Sequence, residues 1–152
     1  MQLDQIKEEL LRQCQSHANQ RLDRIIHMIA NIEESLSSET KSSAGDKHET
    51  GRAVIQLERE KAGAQLAEVQ KVLEIIAKIN ITAVSTIVRL GSLVTTSQSS
   101  YFLSASVGKL IVDEKPYFAI AANTPIGKLI LGKKIGDHFS FNGNRITIKK
   151  ID

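Results

Sequence analysis

The apolar residues of this chain change period once, near Asn80, and that switch constrains the fold more than any other feature. Before it, Leu22, Ile25, Ile29, Ile32 and Leu36 recur at alternating spacings of three and four, as do Ala62, Leu66, Val69, Leu73 and Ile76. Such spacing lays one apolar seam along a helix, and neither stretch contains proline to break it. Between them "SLSSETKSSAGD" has no periodicity and is rich in the residues that make turns and caps. Two helices joined by so short a turn pack antiparallel, each burying its seam on the other. The expectation is an antiparallel coiled-coil hairpin over residues 1–79, with its tip near 40–50. Its second helix starts at about Lys47 and is roughly 45–50 Å long at 1.5 Å per residue, so the hairpin should project from whatever holds its base.

After Asn80 the period falls to two. "ITAVSTIVRLGSLVTT", "SYFLSAS", "KLIVDEKPYFAIAA", "HFSF" and "RITIKKI" are rich in β-branched and aromatic residues and read as strands. Asn142-Gly143-Asn144 is a hairpin turn between the last two. One helix interrupts them, with Thr124 as N-cap, Pro125 at the first helical position and Gly132 as terminator. Residues 80–152 therefore form a mostly antiparallel β unit with one short helix, and the chain is α+β.

Charge divides the same way. Residues 1–80 carry 11 Lys and Arg against 13 Asp and Glu, and residues 81–152 carry 9 against 4, so a slightly acidic half precedes a basic one. Two units of opposite sign suit different partner surfaces. The longest apolar runs are far short of the roughly 20 residues that span a bilayer, and the charged first residues are unlike a signal peptide. The lone Cys14 forms no disulfide within the chain, and with no triad-like surroundings it reads as a structural or surface thiol. The expected compartment is the cytoplasm. No phosphate-binding glycine loop, Ser-His-Asp set or zinc-type Cys/His spacing is present.

Two segments resemble a known family. "AGDKHETGRA" (Ala44–Ala53) is similar to the coiled-coil tip of the Gre-type (GreA/GreB) transcript-cleavage factors of bacterial RNA polymerase, where a Gly-Asp-x-x-Glu core is characteristic. "NTPIGKLILGKKIGD" (Asn123–Asp137) resembles the family's Ser-Pro-Ile-Gly…Leu-x-Gly-x-x-x-Gly-Asp segment, and domain order and length fit as well. The resemblance covers about residues 20–152. It implies an FKBP-like C-terminal domain over residues 80–152 that docks at the rim of the polymerase secondary channel, with the tip entering that channel. It implies an accessory factor, not an enzyme, with no cofactor of its own and no small-molecule substrate or membrane partner. Asp46 would coordinate a Mg²⁺ shared with the polymerase active site, and Glu49 would assist with the metal or its water. Nascent RNA would be met only indirectly. The residue types suit this, since Mg²⁺ is hard and is typically held by one or two carboxylates plus waters and phosphates.

Each of these residues has a plainer reading too. Asp46 and Glu49 make a capping-box pattern opening the second helix. The family tip continues Asn-Ala-Glu-Tyr, whereas here Glu49 is followed by Thr50, Gly51, Arg52 and Ala53, and Lys47, His48 and Arg52 surround the acids with positive charge. Cleavage factor and non-cleaving regulator or inhibitor both stay open, as does a coiled-coil interaction module unrelated to polymerase. Arg52 and Arg59 fall on seam positions near the tip, where they contact RNA phosphates or end a solvated coil. Lys128, Lys133 and Lys134 serve either as a solvated face or as the docking contact with the polymerase. The aromatics, without tryptophan, do not suit a prolyl-isomerase pocket, and fold alone does not carry that activity.

Overall fold

The computed structural model describes the backbone of residues 1–41 and 46–152 and the side chains of residues 1–38 and 50–152. Helices α1 (Leu3–Lys41) and α2 (Asp46–Ala77) are followed by strands β1 (Leu93–Thr96), β2 (Ser100–Leu103), β3 (Gly108–Val112) and β4 (Lys115–Ile120). A short helix α3 (Pro125–Ile130) and strands β5 (His138–Phe141) and β6 (Asn144–Ile151) complete the chain. The α+β architecture expected from the sequence is the one observed. Two compact units divide the chain: Ala18–Leu73, and Met1–His17 together with Glu74–Asp152.

In the Ala18–Leu73 unit the two seams meet as their spacing requires. Ile25, Ile29 and Ile32 of α1 pack with Ala62 and Val69 of α2, flanked by the half-buried Leu22, Leu36, Ile55 and Leu66. Ion pairs Arg21–Glu68 (3.1 Å) and Arg59–Glu33 (3.2 Å) tie the helices with one index rising as the other falls, the mark of an antiparallel pair. Both pairs lie at the partly exposed surface and contribute about 0.2–1 kcal/mol each, so the buried seam carries the stability. Helix α1 extends to Lys41, through residues the sequence reading gave to the turn. No Gly or Pro stands between Leu36 and Lys41 to stop it.

The other unit is built on a six-stranded sheet of order β3-β4-β2-β1-β6-β5, antiparallel except for the β2–β4 pair. One face receives α3: Ile126 and Ile130 pack on Val94, Leu103, Phe139, Ile146 and Ile148, with Val88 closing the cluster. Because side chains alternate along a strand, Leu93, Phe102, Ala119, Leu110 and Tyr117 point the other way. That second face is buried as well, and the first turns of α1 contribute to its cover. Leu10 and Cys14 are fully buried, Cys14 Sγ lies 3.6 Å from Ser104 Oγ, and Gln13 Nε2 donates to the carbonyl of Ile111 (3.1 Å) on edge strand β3. Covering a free carbonyl in this way also blunts an edge that would otherwise invite strand pairing.

Two strand expectations change. Residues 80–92, rich in β-branched residues, form no strand; they join the sheet region through one isolated bridge, Ile87 to Lys134, through the buried Val88, and through hydrogen bonds from Gly91 N to Leu103 O and from Leu103 N to Ser92 O. Asn80 accounts for this locally, since its Oδ1 accepts from Thr82 N, Thr82 Oγ1 and Ala83 N and so bends the chain into an Asx turn. "KLIVDEKPYFAIAA" folds back on itself as β3 and β4, turning at Asp113 (φ 53°) and Glu114 (φ 63°). The expected turn at Asn142-Gly143 is observed, with both residues at positive φ (51° and 77°), as a two-residue hairpin loop requires.

Candidate functional site

The Asn123–Asp137 segment is held in place by its own sequence. Thr124 caps α3: its Oγ1 accepts from Gly127 N at 3.1 Å and donates to Ala121 O at 2.7 Å. Pro125 follows at the first turn, where a missing N–H costs nothing. Gly127 is forced, because a Cβ there would lie 2.1 Å from Ala121 O. Gly132 (φ 80°) ends the helix in the left-handed conformation, and its N–H donates to Val88 O. Gly136 (φ 91°) and Asp137 then make a tight loop in which Asp137 Oδ2 accepts from Lys134 N at 2.8 Å. Gly136 N donates to Ile148 O and Ile148 N to Asp137 O, stitching the loop to β6.

These turn and cap residues shape the segment, and its solvent side is left to others. Lys128 and Lys134 are exposed and Lys133 is half-buried, so the three sequence-predicted lysines share one continuous segment. With them stand Leu131 (47% exposed) and Ile135 (60%), and the bridge to Lys134 adds Ile87 (41%). Sequence reasoning missed these three apolar residues because it assigned their type to the core. The available signal was position, since Leu131 and Ile135 flank glycines in a turn where a core residue is out of place. Exposed apolar side chains alternating with lysines along one segment suit a partner surface that is itself part apolar and part acidic.

The tip residues fare differently. Asp46 opens α2 and Glu49 follows in its first turn, but the side chains of both lie outside the described residues. Arg52 is exposed, whereas Arg59 is half-buried with its Nε on Glu33 Oε1. That ion pair gives Arg59 a place within the hairpin. Among the described residues no group of three or more His, Cys, Asp or Glu is placed to hold a metal ion. Two carboxylates, if aligned, supply part of a Mg²⁺ shell and leave the rest to another molecule.

Cys14 and Lys7 are the buried reactive types. Burial pushes the Cys14 thiol up from its ordinary pKa, which makes it a packing residue and not a nucleophile. Among the described residues, no helix is long and apolar enough to cross a membrane.

A helical hairpin and a six-stranded β unit with a basic, partly apolar turn segment thus define the molecule. No protein-family model matches the chain, and neither does any curated protein. Among solved structures, one similar chain is that of the transcription factor Gfh1. It is 18% identical over 90% of this chain and 92% of that chain, with a TM-score of 0.36.

Proposed function

We propose that this protein is a Gre-like transcription elongation factor. It binds bacterial RNA polymerase through the Lys128–Ile135 surface and brings its hairpin tip into the secondary channel. The observation that carries this is the Asn123–Asp137 segment, whose sequence resembles the family's C-terminal motif over fifteen residues. The exposed Leu131 and Ile135 beside Lys128 and Lys134 support it, since they leave that segment an uncovered surface. The Gly-Asp-x-x-Glu core at the tip supports the second half of the reading. There Asp46 and Glu49 would hold a Mg²⁺ shared with the polymerase, and such a metal supplies charge stabilisation and an activated water for phosphodiester hydrolysis. Every other contribution of this chain is positional: it binds, reaches and presents two carboxylates.

Binding to purified core polymerase in a pull-down at micromolar concentration is the first test, and no retention would sink the proposal. Lys134→Glu with Ile135→Ser should reduce retention at least tenfold, a loss of about 1.4 kcal/mol, while leaving the circular dichroism unchanged. A second reading, a regulator that docks without cleaving, is favoured by Lys47, His48 and Arg52 around the acids, since nearby cations compete with a metal for carboxylates. Asp46→Asn with Glu49→Gln separates the two readings, because Asn caps as well as Asp and Gln also closes a capping box. Loss of RNA cleavage in a backtracked complex with binding retained supports the cleavage factor. Absence of cleavage in the parent protein supports the regulator.

A further inference from the structure

Strands β3 and β5 are the two edges of the sheet, and an edge strand turns unpaired N–H and C=O groups to the outside. At β3 the side chain of Gln13 covers one of them, the carbonyl of Ile111. At β5 the ladder itself shows which groups are open. Residues of an antiparallel pair alternate between bonding their partner and pointing away from it. Gly136 N donates to Ile148 O and Ile148 N to Asp137 O, whereas Thr147 N donates to Ser97 Oγ and Thr147 O accepts from Ser97 N. Continuing that alternation through the register, Phe139 and Phe141 bond β6, and His138 and Ser140 turn their N–H and C=O outward. Both residues are exposed, and among the described residues no hydrogen bond is made to these outward groups. The strand "HFSF" also lacks the Lys, Asp, Glu or Pro that keeps other chains off an edge.

The two faces beside this edge differ in chemistry. Phe139, Ile146 and Ile148 belong to the core under α3, so His138, Ser140, Arg145 and Lys149 stand on the opposite face. Arg145 and Lys149 are exposed there, and β5 and β6 contain no Asp or Glu. The acids at their ends are engaged, Asp137 Oδ2 with Lys134 N and Asp152 Oδ2 with Lys150 Nζ at 3.3 Å. On the α3 face Phe141 is half-buried at the rim of the core. We propose that β5 accepts an extended segment of a partner protein as an added antiparallel strand, one that alternates Asp or Glu with apolar residues. Its main chain bonds His138 and Ser140, its acids share the face of Arg145 and Lys149, and its apolar residues lie beside Phe141. At a strand spacing of about 4.8 Å, Arg145 is about 10 Å from the added strand, a gap that an Arg and a Glu side chain span together. A second copy of β5 would set like charges face to face at Arg145 and Lys149. A single-stranded nucleic acid suits the cations, but its phosphates only accept and leave the His138 and Ser140 carbonyls without donors. This reading is independent of the polymerase proposal, since it uses neither the hairpin tip nor the Lys128–Ile135 surface.

Fluorescence anisotropy with the full chain tests this with four labelled probes: a peptide alternating Glu and Val, its Lys and Val counterpart, the Glu peptide N-methylated at every glutamate amide, and oligouridine RNA. The Glu peptide should bind saturably at micromolar to millimolar protein, about tenfold tighter than the Lys peptide. In an antiparallel pair the glutamate amides face β5, so N-methylation should weaken binding at least about tenfold. Arg145→Gln with Lys149→Gln, two changes at exposed residues, should weaken it by a similar factor and leave the circular dichroism unchanged. Undiminished binding of the N-methylated peptide would reduce the contact to charge attraction and overturn strand addition. Tighter binding of the RNA than of the Glu peptide, lost in the same double variant, would make this a nucleic-acid face and overturn the proposal. No saturable binding of the Glu peptide would overturn it equally.

Discussion

Replacing Gly127 with alanine should destabilise the β unit, while the same replacement at Gly63 should stabilise the hairpin. At Gly127 the new methyl would sit 2.1 Å from Ala121 O and 2.8 Å from Thr124 Oγ1, distances that real Cβ contacts essentially never show. Relief requires moving Ala121 or the first turn of α3 by nearly an ångström, and the second contact is the atom that caps the helix. Overpacking costs about 1–3 kcal/mol and a lost cap about 1 kcal/mol, against about 1 kcal/mol regained from alanine's helix propensity. The net expectation is a loss of about 1–3 kcal/mol. With a urea slope of about 1–3 kcal/mol per molar, the midpoint should fall by roughly 1 M. Gly63 sits within α2, and its added methyl meets only the far end of the Arg59 side chain, at 3.1 Å. There the propensity gain survives, and a rise of about 0.5–1 kcal/mol is expected. Tyrosine fluorescence follows the β unit, and ellipticity at helical wavelengths follows the hairpin. A Gly127→Ala protein as stable as the parent would refute the close-approach argument for the whole Thr124–Gly132 turn.

Glu114→Gly should stabilise the β3–β4 hairpin by about 1 kcal/mol, because Glu114 holds φ at 63° and an L-residue pays about 1–2 kcal/mol for that region. Urea midpoints would check it, and a decrease would show that the Glu114 side chain matters more than its backbone. Cys14 should resist a thiol reagent in the native protein and react at the rate of global opening, being fully buried with its thiol pKa raised by that burial. Fast native labelling would contradict the packing described for α1. Burial lowers the Lys7 pKa below its ordinary 10.5, so below its folded value the native state carries a charge it disfavours. Between that value and 10.5 the unfolded chain binds more protons, and stability rises with pH. The stability gap between Lys7→Met and the parent should therefore shrink as pH climbs through this alkaline window. A gap independent of pH would place the ammonium in water.

The hairpin was legible because its signal is repetitive: all ten seam residues named from spacing alone lie in α1 and α2 and are buried or half-buried, eight of them in the cluster between the helices, with Ile76 buried in the other unit near the end of α2. The Thr124-Pro125 start and the Asn142-Gly143 turn were legible for the opposite reason, since each is a short motif with one backbone solution. Asp113-Glu114 was not, because neither residue advertises positive φ and the register of β3 on β4 overrides local preference. The strand-like residues after Asn80 misled for a related reason: an Asx turn uses one side chain, and periodicity does not see it. The candidate surface was half legible. Lysines at 128, 133 and 134 were found from charge, while Ile87, Leu131 and Ile135 needed coordinates to show that apolar residues there face water.

The packing of Met1–His17 with Glu74–Asp152 has a consequence for how the protein is made. A ribosome delivers residues 1–17 well before the rest of their unit, with Leu10 and Cys14 exposed, and the Ser104 and Ile111 region that meets them arrives only after the whole hairpin has emerged. At about 5–20 residues per second the wait is roughly 10 s. The Ala18–Leu73 hairpin has no such dependence and can close as soon as α2 is out, so the two units should complete in reverse order of their first residues. During that interval the amino-terminal segment is an unsatisfied amphipathic stretch. A bulky group fused before Met1 would act on the last step of folding, far from where it is attached in sequence.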